Sequence, residues 1–131
     1  MKKILITTKL LKSNEERISK IWDAKLNPNN EIYSQNKLVQ LSKDCDGILS
    51  SIVDKIDAKT IHQLSDRVKI ISNFAVGFGN IDIEAAKKKN ILVTNTPDVL
   101  TDATAEIAML LILGACKRAA EGIKWARNQK W

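Results

Sequence analysis

Histidine occurs once, at His62, and cysteine only twice, at Cys45 and Cys116, in a chain of 131 residues. No two of these side chains have metal-ligand spacing, so neither a structural zinc nor any other metal site is expected. The two thiols lie far apart in apolar surroundings. That predicts reduced, partly buried cysteines in a cytosolic protein rather than a disulfide framework. Aromatics make up 5% of the residues, too few for a platform on which bases could stack. A net charge of +6 invites a nucleic-acid reading, but lysine and arginine are scattered and their densest run is only Lys87-Lys88-Lys89. Without a basic stripe, such charge reads as a solvated face, and no nucleic-acid partner is expected. The start MKKILITTKL is too briefly apolar for a secretory signal and has no small-residue cleavage site. The apolar run IAMLLILGAC, residues 107–116, is far short of the roughly twenty residues that span a bilayer, so no membrane partner is expected either.

What the chain does contain is an ordinary globular mixture, 44% hydrophobic and 27% charged, long enough for one core without staples. Short β-branched runs at residues 3–8, 47–51, 68–72 and 91–94 read as buried strands. A further short edge strand is expected at 31–34, after the break Asn27-Pro28-Asn29-Asn30. Helical spacing follows Ser13 (Ile18, Ile21, Trp22), spans 36–42, follows Asp57 (Ile61, Leu64) and spans 82–89. Strands and helices alternate with short connections, which predicts an α/β fold with a parallel sheet covered by helices on both faces. A last helix is expected from Thr101 to about Arg127. Its segment 107–116 is apolar around the full circumference, so it needs cover beyond what this chain supplies.

The densest group of special residues is Phe74-Ala75-Val76-Gly77-Phe78-Gly79-Asn80-Ile81-Asp82, between a predicted strand and a predicted helix. In open α/β sheets, ligands bind outside the carboxyl ends of the strands. Two glycines there let backbone approach a ligand, and their N–H groups offer a seat for a carboxylate or phosphate. On spacing alone, a tight turn followed by an ordinary Asp82 N-cap explains the same residues. A dinucleotide fingerprint does not fit: the third glycine of G-x-G-x-x-G is replaced by Asp82, whose charge opposes a pyrophosphate. The following block, Thr96-Pro97-Asp98-Val99-Leu100-Thr101-Asp102-Ala103-Thr104-Ala105-Glu106, reads as a loop with a helix start capped by Asp98 or Thr101.

Together, ISNFAVGFGNIDIEAAKKKNILVTNTPDVLTDATAEIAMLLIL (71–113) and the 127–131 tail resemble the D-isomer-specific 2-hydroxyacid dehydrogenases, on the glyoxylate/hydroxypyruvate reductase branch. The VG-x-x-NID-x-x-A and TPDVLTDATAE blocks carry the likeness, and residues 1–65 match only in layout. The resemblance implies a flavodoxin-like substrate domain of about five strands at 1–100, completed in that family by a C-terminal return. It also implies a long interdomain and dimerisation helix at 101–131, leading into an NAD(P)-binding domain. Val76 and Gly77 would give the amides that hold a substrate carboxylate, beside Ser51 and Ile52, and Thr104 would contact the nicotinamide part of the cofactor. The partners implied are a small 2-keto or 2-hydroxy acid and a second copy through helix 101–127, in the cytoplasm.

The departures from the family pattern are equally informative. Its catalytic Arg, Glu and His and its G-x-G-x-x-G would fall beyond Trp131, and His62 lies in the wrong region to replace the histidine. No catalytic residue is therefore assigned here. The chain is expected to be a truncated dehydrogenase, inactive alone and binding neither NAD nor NADP tightly. The competing reading is a non-catalytic, stand-alone binding or oligomerisation module. A phospho-receiver domain is excluded, because Thr7-Thr8-Lys9 and Ser50-Ser51 stand where its acids would be.

Overall fold

The computed structural model describes residues 1–128 and divides the chain into two compact units, Met1–Pro97 and the segment from Asp98 onward. In the first unit, five parallel strands lie in the order β2-β1-β3-β4-β5. They are β1 (Lys3–Ile6), β2 (Asp23–Lys25), β3 (Gly47–Ser51), β4 (Ile70–Phe74) and β5 (Leu92–Thr94), and the helices between them are α1 (Lys12–Ile21), α2 (Gln35–Leu41), α3 (Ala58–Gln63) and α4 (Ile83–Lys88). The chain adds β2 on one side of β1 and then crosses to build β3, β4 and β5 on the other. The sheet order therefore reverses between β1 and β3, and that reversal opens a crevice at their carboxyl ends.

Alternation along the strands decides what the sheet buries. Ile48 and Ile71 are at most 2% exposed and pack with Leu38, Ile61, Leu64, Ala85 and Ala86 from α2, α3 and α4. Each such branched side chain contributes about 1.5–3 kcal/mol on burial. The opposite parity, Ile4, Leu49, Ile70 and Ser72, lines a groove of about 620 Å³ together with Ile18 of α1 and Trp22 just after it. Helix starts are fixed by side chains. Asp57 accepts from the Thr60 N–H at 3.0 Å, Asp82 from the Ala85 N–H at 2.9 Å, and Ser34 from the Lys37 N–H at 3.3 Å. Lys89, from the lysine run, donates to the carbonyls of His62 and Leu64 at the end of α3, where a cation complements the helix C-terminus.

The structure departs from the sequence expectations in four places. The second strand is 23–25 rather than 31–34. After α1 the chain turns at once onto β1, with the Asp23 N–H donating to the Lys2 carbonyl at 3.0 Å. The 31–34 segment is held instead by the buried Asn27, whose side chain bonds the Thr7 and Glu31 carbonyls, each at 2.8 Å. The fourth strand runs two residues later than expected. Cys45 is fully buried, which pushes its thiol pKa up, whereas Cys116 is exposed.

The fourth departure lies in the second unit, where the single helix 101–127 is two: α5 (Thr101–Cys116) and α6 (Ala119–Arg127). The apolar pattern ends at Lys117-Arg118, and Arg118 adopts a left-handed conformation with φ 50°. From there it pairs with Glu121 in the first turn of α6. Helix α5 starts at Leu100 without a side-chain cap, so neither Asp98 nor Thr101 plays that role. Its residues Leu110 and Leu111 are 64% and 66% exposed. Among the described residues, no helix is long and apolar enough to cross a membrane. Part of the 127–131 tail lies outside the described residues.

Candidate functional site

Strands β3 and β4 pair in parallel register through Ser51 opposite Phe74, so the turns that leave them are neighbours. The first turn carries Ser51 and Ile52, the second Val76 and Gly77; the fold thus brings the four sequence-predicted substrate residues to one end of the sheet. A cavity of about 340 Å³ lies at the order reversal between β1 and β3, lined by Thr7, Thr8, Ser51, Ile52, Val53 and Phe74 among others; Val76 and Gly77 do not line it. Two larger grooves lie elsewhere, on the open sheet face and beside β5. Neither is lined by Ser51, Ile52, Val76 or Gly77, so volume alone does not lead to these residues.

The second turn is built to present N–H groups. Three successive carbonyls are held by the protein: Ala75 O accepts from the Thr96 N–H at 3.0 Å, Val76 O from Asn95 Nδ2 at 2.7 Å, and Gly77 O from Asn73 Nδ2 at 2.9 Å. In a trans peptide the N–H points opposite to the C=O. Tying these oxygens inward therefore turns the N–H groups of Val76, Gly77 and Phe78 outward. None of the three donates to another atom among the described residues. Successive free amides of this kind make an anion seat.

The glycines sharpen this conclusion. Neither Gly77 nor Gly79 has a positive φ, and a Cβ added at either would meet nothing within 4 Å. Neither the turn conformation nor packing against the protein demands glycine. What the missing side chains provide is unobstructed access to the amides from outside.

The first turn is closed by the buried Asp54. Its carboxylate accepts from the Ser51 N–H at 2.8 Å and from the Thr7 hydroxyl at 2.5 Å. The amide of Ser51 is thus engaged internally, and the Ile52 and Val53 N–H groups are without an acceptor among the described residues. Sequence reasoning passed over Asn73, Asn80 and Asn95, which hold the second turn. Only their nearness to the glycines hinted at it. Thr104 sits in the second turn of α5, exposed, within the other unit. His62 is an exposed residue of α3.

A nicotinamide dinucleotide does not fit the 77–82 turn. The N-terminus of α4, where a pyrophosphate would rest, already holds the Asp82 carboxylate on the Ala85 N–H. Among the described residues, no cluster of His, Cys, Asp or Glu could hold a metal ion.

Known proteins resemble this chain in sequence and fold. The family profile of the D-isomer specific 2-hydroxyacid dehydrogenase catalytic domain matches residues 4–126. A glyoxylate reductase of Thermococcus onnurineus is 35% identical over 129 residues, covering 98% of this chain and 38% of its own length. A glycerate dehydrogenase of Hyphomicrobium methylovorum is 35% identical over 130 residues, covering 99% of this chain and 40% of its own length. The crystal structure of a glyoxylate reductase from Paecilomyes thermophila superposes with a TM-score of 0.81 at 25% identity, over 99% of this chain and 42% of that one. The chain thus spans about two fifths of the length of these relatives.

Proposed function

The chain belongs to the D-isomer specific 2-hydroxyacid dehydrogenases, a family of oxidoreductases, and from that premise we propose that it supplies part of the substrate carboxylate site of such an enzyme. The parent reaction is reduction of a small 2-keto acid, such as glyoxylate or hydroxypyruvate, with hydride from NADH or NADPH. The observation that carries this reading is the row of outward amides at Val76, Gly77 and Phe78, on the turn that follows the strand next to the one leading to Ile52. Donors preset by tied carbonyls hold an anion without reorganising when it arrives.

In this reading, residues 1–100 form the substrate domain and residues 101–131 lead into the cofactor domain, with Thr104 against the nicotinamide. The open sheet face agrees with a domain completed by further chain, because parallel sheets are normally covered on both faces. Helix α5 takes part in a homodimer, for which its exposed Leu110 and Leu111 are the argument. The protein works in the cytoplasm. Hydride transfer requires a bound nicotinamide and a proton donor, and the 77–82 turn suits no dinucleotide. The 131 residues alone therefore neither bind NAD(P) tightly nor turn over.

The test is an amide NMR titration of the purified chain with glyoxylate. Val76, Gly77 and Ile52 resonances should shift together and saturate with one affinity. Shifts scattered over the lysine-rich surface, with these three unmoved, would reject the carboxylate seat and favour a non-catalytic module.

A further inference from the structure

The amide donors at Ile52 and at Val76–Gly77 belong to different turns, and one side chain ties those turns together. Asn80 Nδ2 donates to Ser51 O and to Asp54 O, both at 3.0 Å, so its two N–H bonds hold the first turn. Its Oδ1 accepts from Asn73 Nδ2 at 3.0 Å, the same nitrogen that holds Gly77 O. Asn73 is 2% exposed, and its Oδ1 accepts from the Ser50 hydroxyl at 3.0 Å. The path from Ser50 through Asn73 and Asn80 back to Ser51 therefore links β3, β4 and both turns in one network.

We propose that Asn73 and Asn80 are positioning residues, which fix the spacing between the two turns so that the amides of Ile52, Val76 and Gly77 address one carboxylate. This rests on the carboxylate reading above and deepens it. Only a primary amide meets the demand at position 80, with two donors and an acceptor in one planar group. A carboxylate of the same shape would face two carbonyl oxygens with no donor, and a hydroxyl would leave one carbonyl unserved. Neither asparagine touches the proposed substrate; both act through the backbone they hold.

The experiment uses the full chain with Asn80→Asp, which keeps the shape, and Asn80→Ala. Amide hydrogen exchange and relaxation are measured without ligand, followed by glyoxylate titration. Both variants should keep the spectrum of the α2–α3–α4 core while exchange rises at 51–54 and at 76–79. Glyoxylate should bind about tenfold more weakly or worse, the loss of roughly one hydrogen bond's worth of interaction. The response of Ile52 should separate from that of Val76 and Gly77. A role limited to stability would lower the melting temperature yet leave the three amides responding with one common affinity, and that outcome overturns the proposal. Unchanged exchange at both turns in Asn80→Ala overturns it as well, even where the wild type binds. If wild-type amides ignore glyoxylate while the variants loosen both turns, the carboxylate reading fails and the clamp stands.

Discussion

Replacing Gly77 should move stability and binding in opposite directions. Its φ is not positive, and an added Cβ would find nothing within 4 Å. Alanine therefore introduces neither strain nor a clash within the protein. At such a position Gly→Ala stabilises by about 0.4–1 kcal/mol, because the unfolded chain loses freedom. That corresponds to a rise in melting temperature of roughly 2–8 °C. The same methyl group stands where a carboxylate approaches the amides, and losing one charge-assisted hydrogen bond costs about 1.5–3 kcal/mol. Glyoxylate affinity should then fall about 10- to 150-fold, and further with the bulkier Gly77→Val. Thermal melting followed by circular dichroism and NMR titration on the same samples measure both effects. Gly77→Ala that binds like wild type would show that nothing approaches there. Destabilisation by more than about 1 kcal/mol would show that the turn itself needs glycine.

Other outcomes follow from the same structure. Ile71→Ala empties a fully buried position beneath α3 and α4 and should cost about 2–5 kcal/mol in urea unfolding, with the amides at 76–77 unshifted in the folded protein. The Asp46 carboxyl is held down at about 2 by Arg67 and the Lys3 N–H, and that of Asp57 at about 2 by the Thr60 N–H. Groups lowered in this way stabilise the fold above their unfolded pKa near 4, and the contribution is lost as pH falls towards 2. Acid titration should accordingly show unfolding in that window, narrowed in Asp46→Asn. The purified chain should not oxidise NADH or NADPH with glyoxylate or hydroxypyruvate, and measurable turnover would refute its inactivity. Leu110→Asp should shift the chain from dimer towards monomer in light scattering; a wild type that stays monomeric at high concentration would remove α5 as an interface.

The alternation of strands and helices was legible because each β-branched run sits between turn or capping residues. Asp57 and Asp82 cap where their positions promised. Strand β2 was not legible: Asp23-Ala24-Lys25 has little strand propensity and is strand only because it pairs with β1. The break of the last helix was missed because Lys117-Arg118 are good helix formers, and only the left-handed Arg118 reveals it. At the site, the glycines signalled backbone access. The asparagines that aim the amides gave no local signal beyond their nearness to those glycines, since their partners lie up to 29 residues away.

The most direct test is a crystal structure of the chain soaked with glyoxylate. Carboxylate oxygens should lie about 2.7–3.2 Å from the amide nitrogens of Val76 and Gly77, within reach of Ile52. A turn that stays bare while the ligand occupies a different site, or an acid turned with its carboxylate away from these nitrogens, would contradict the assignment.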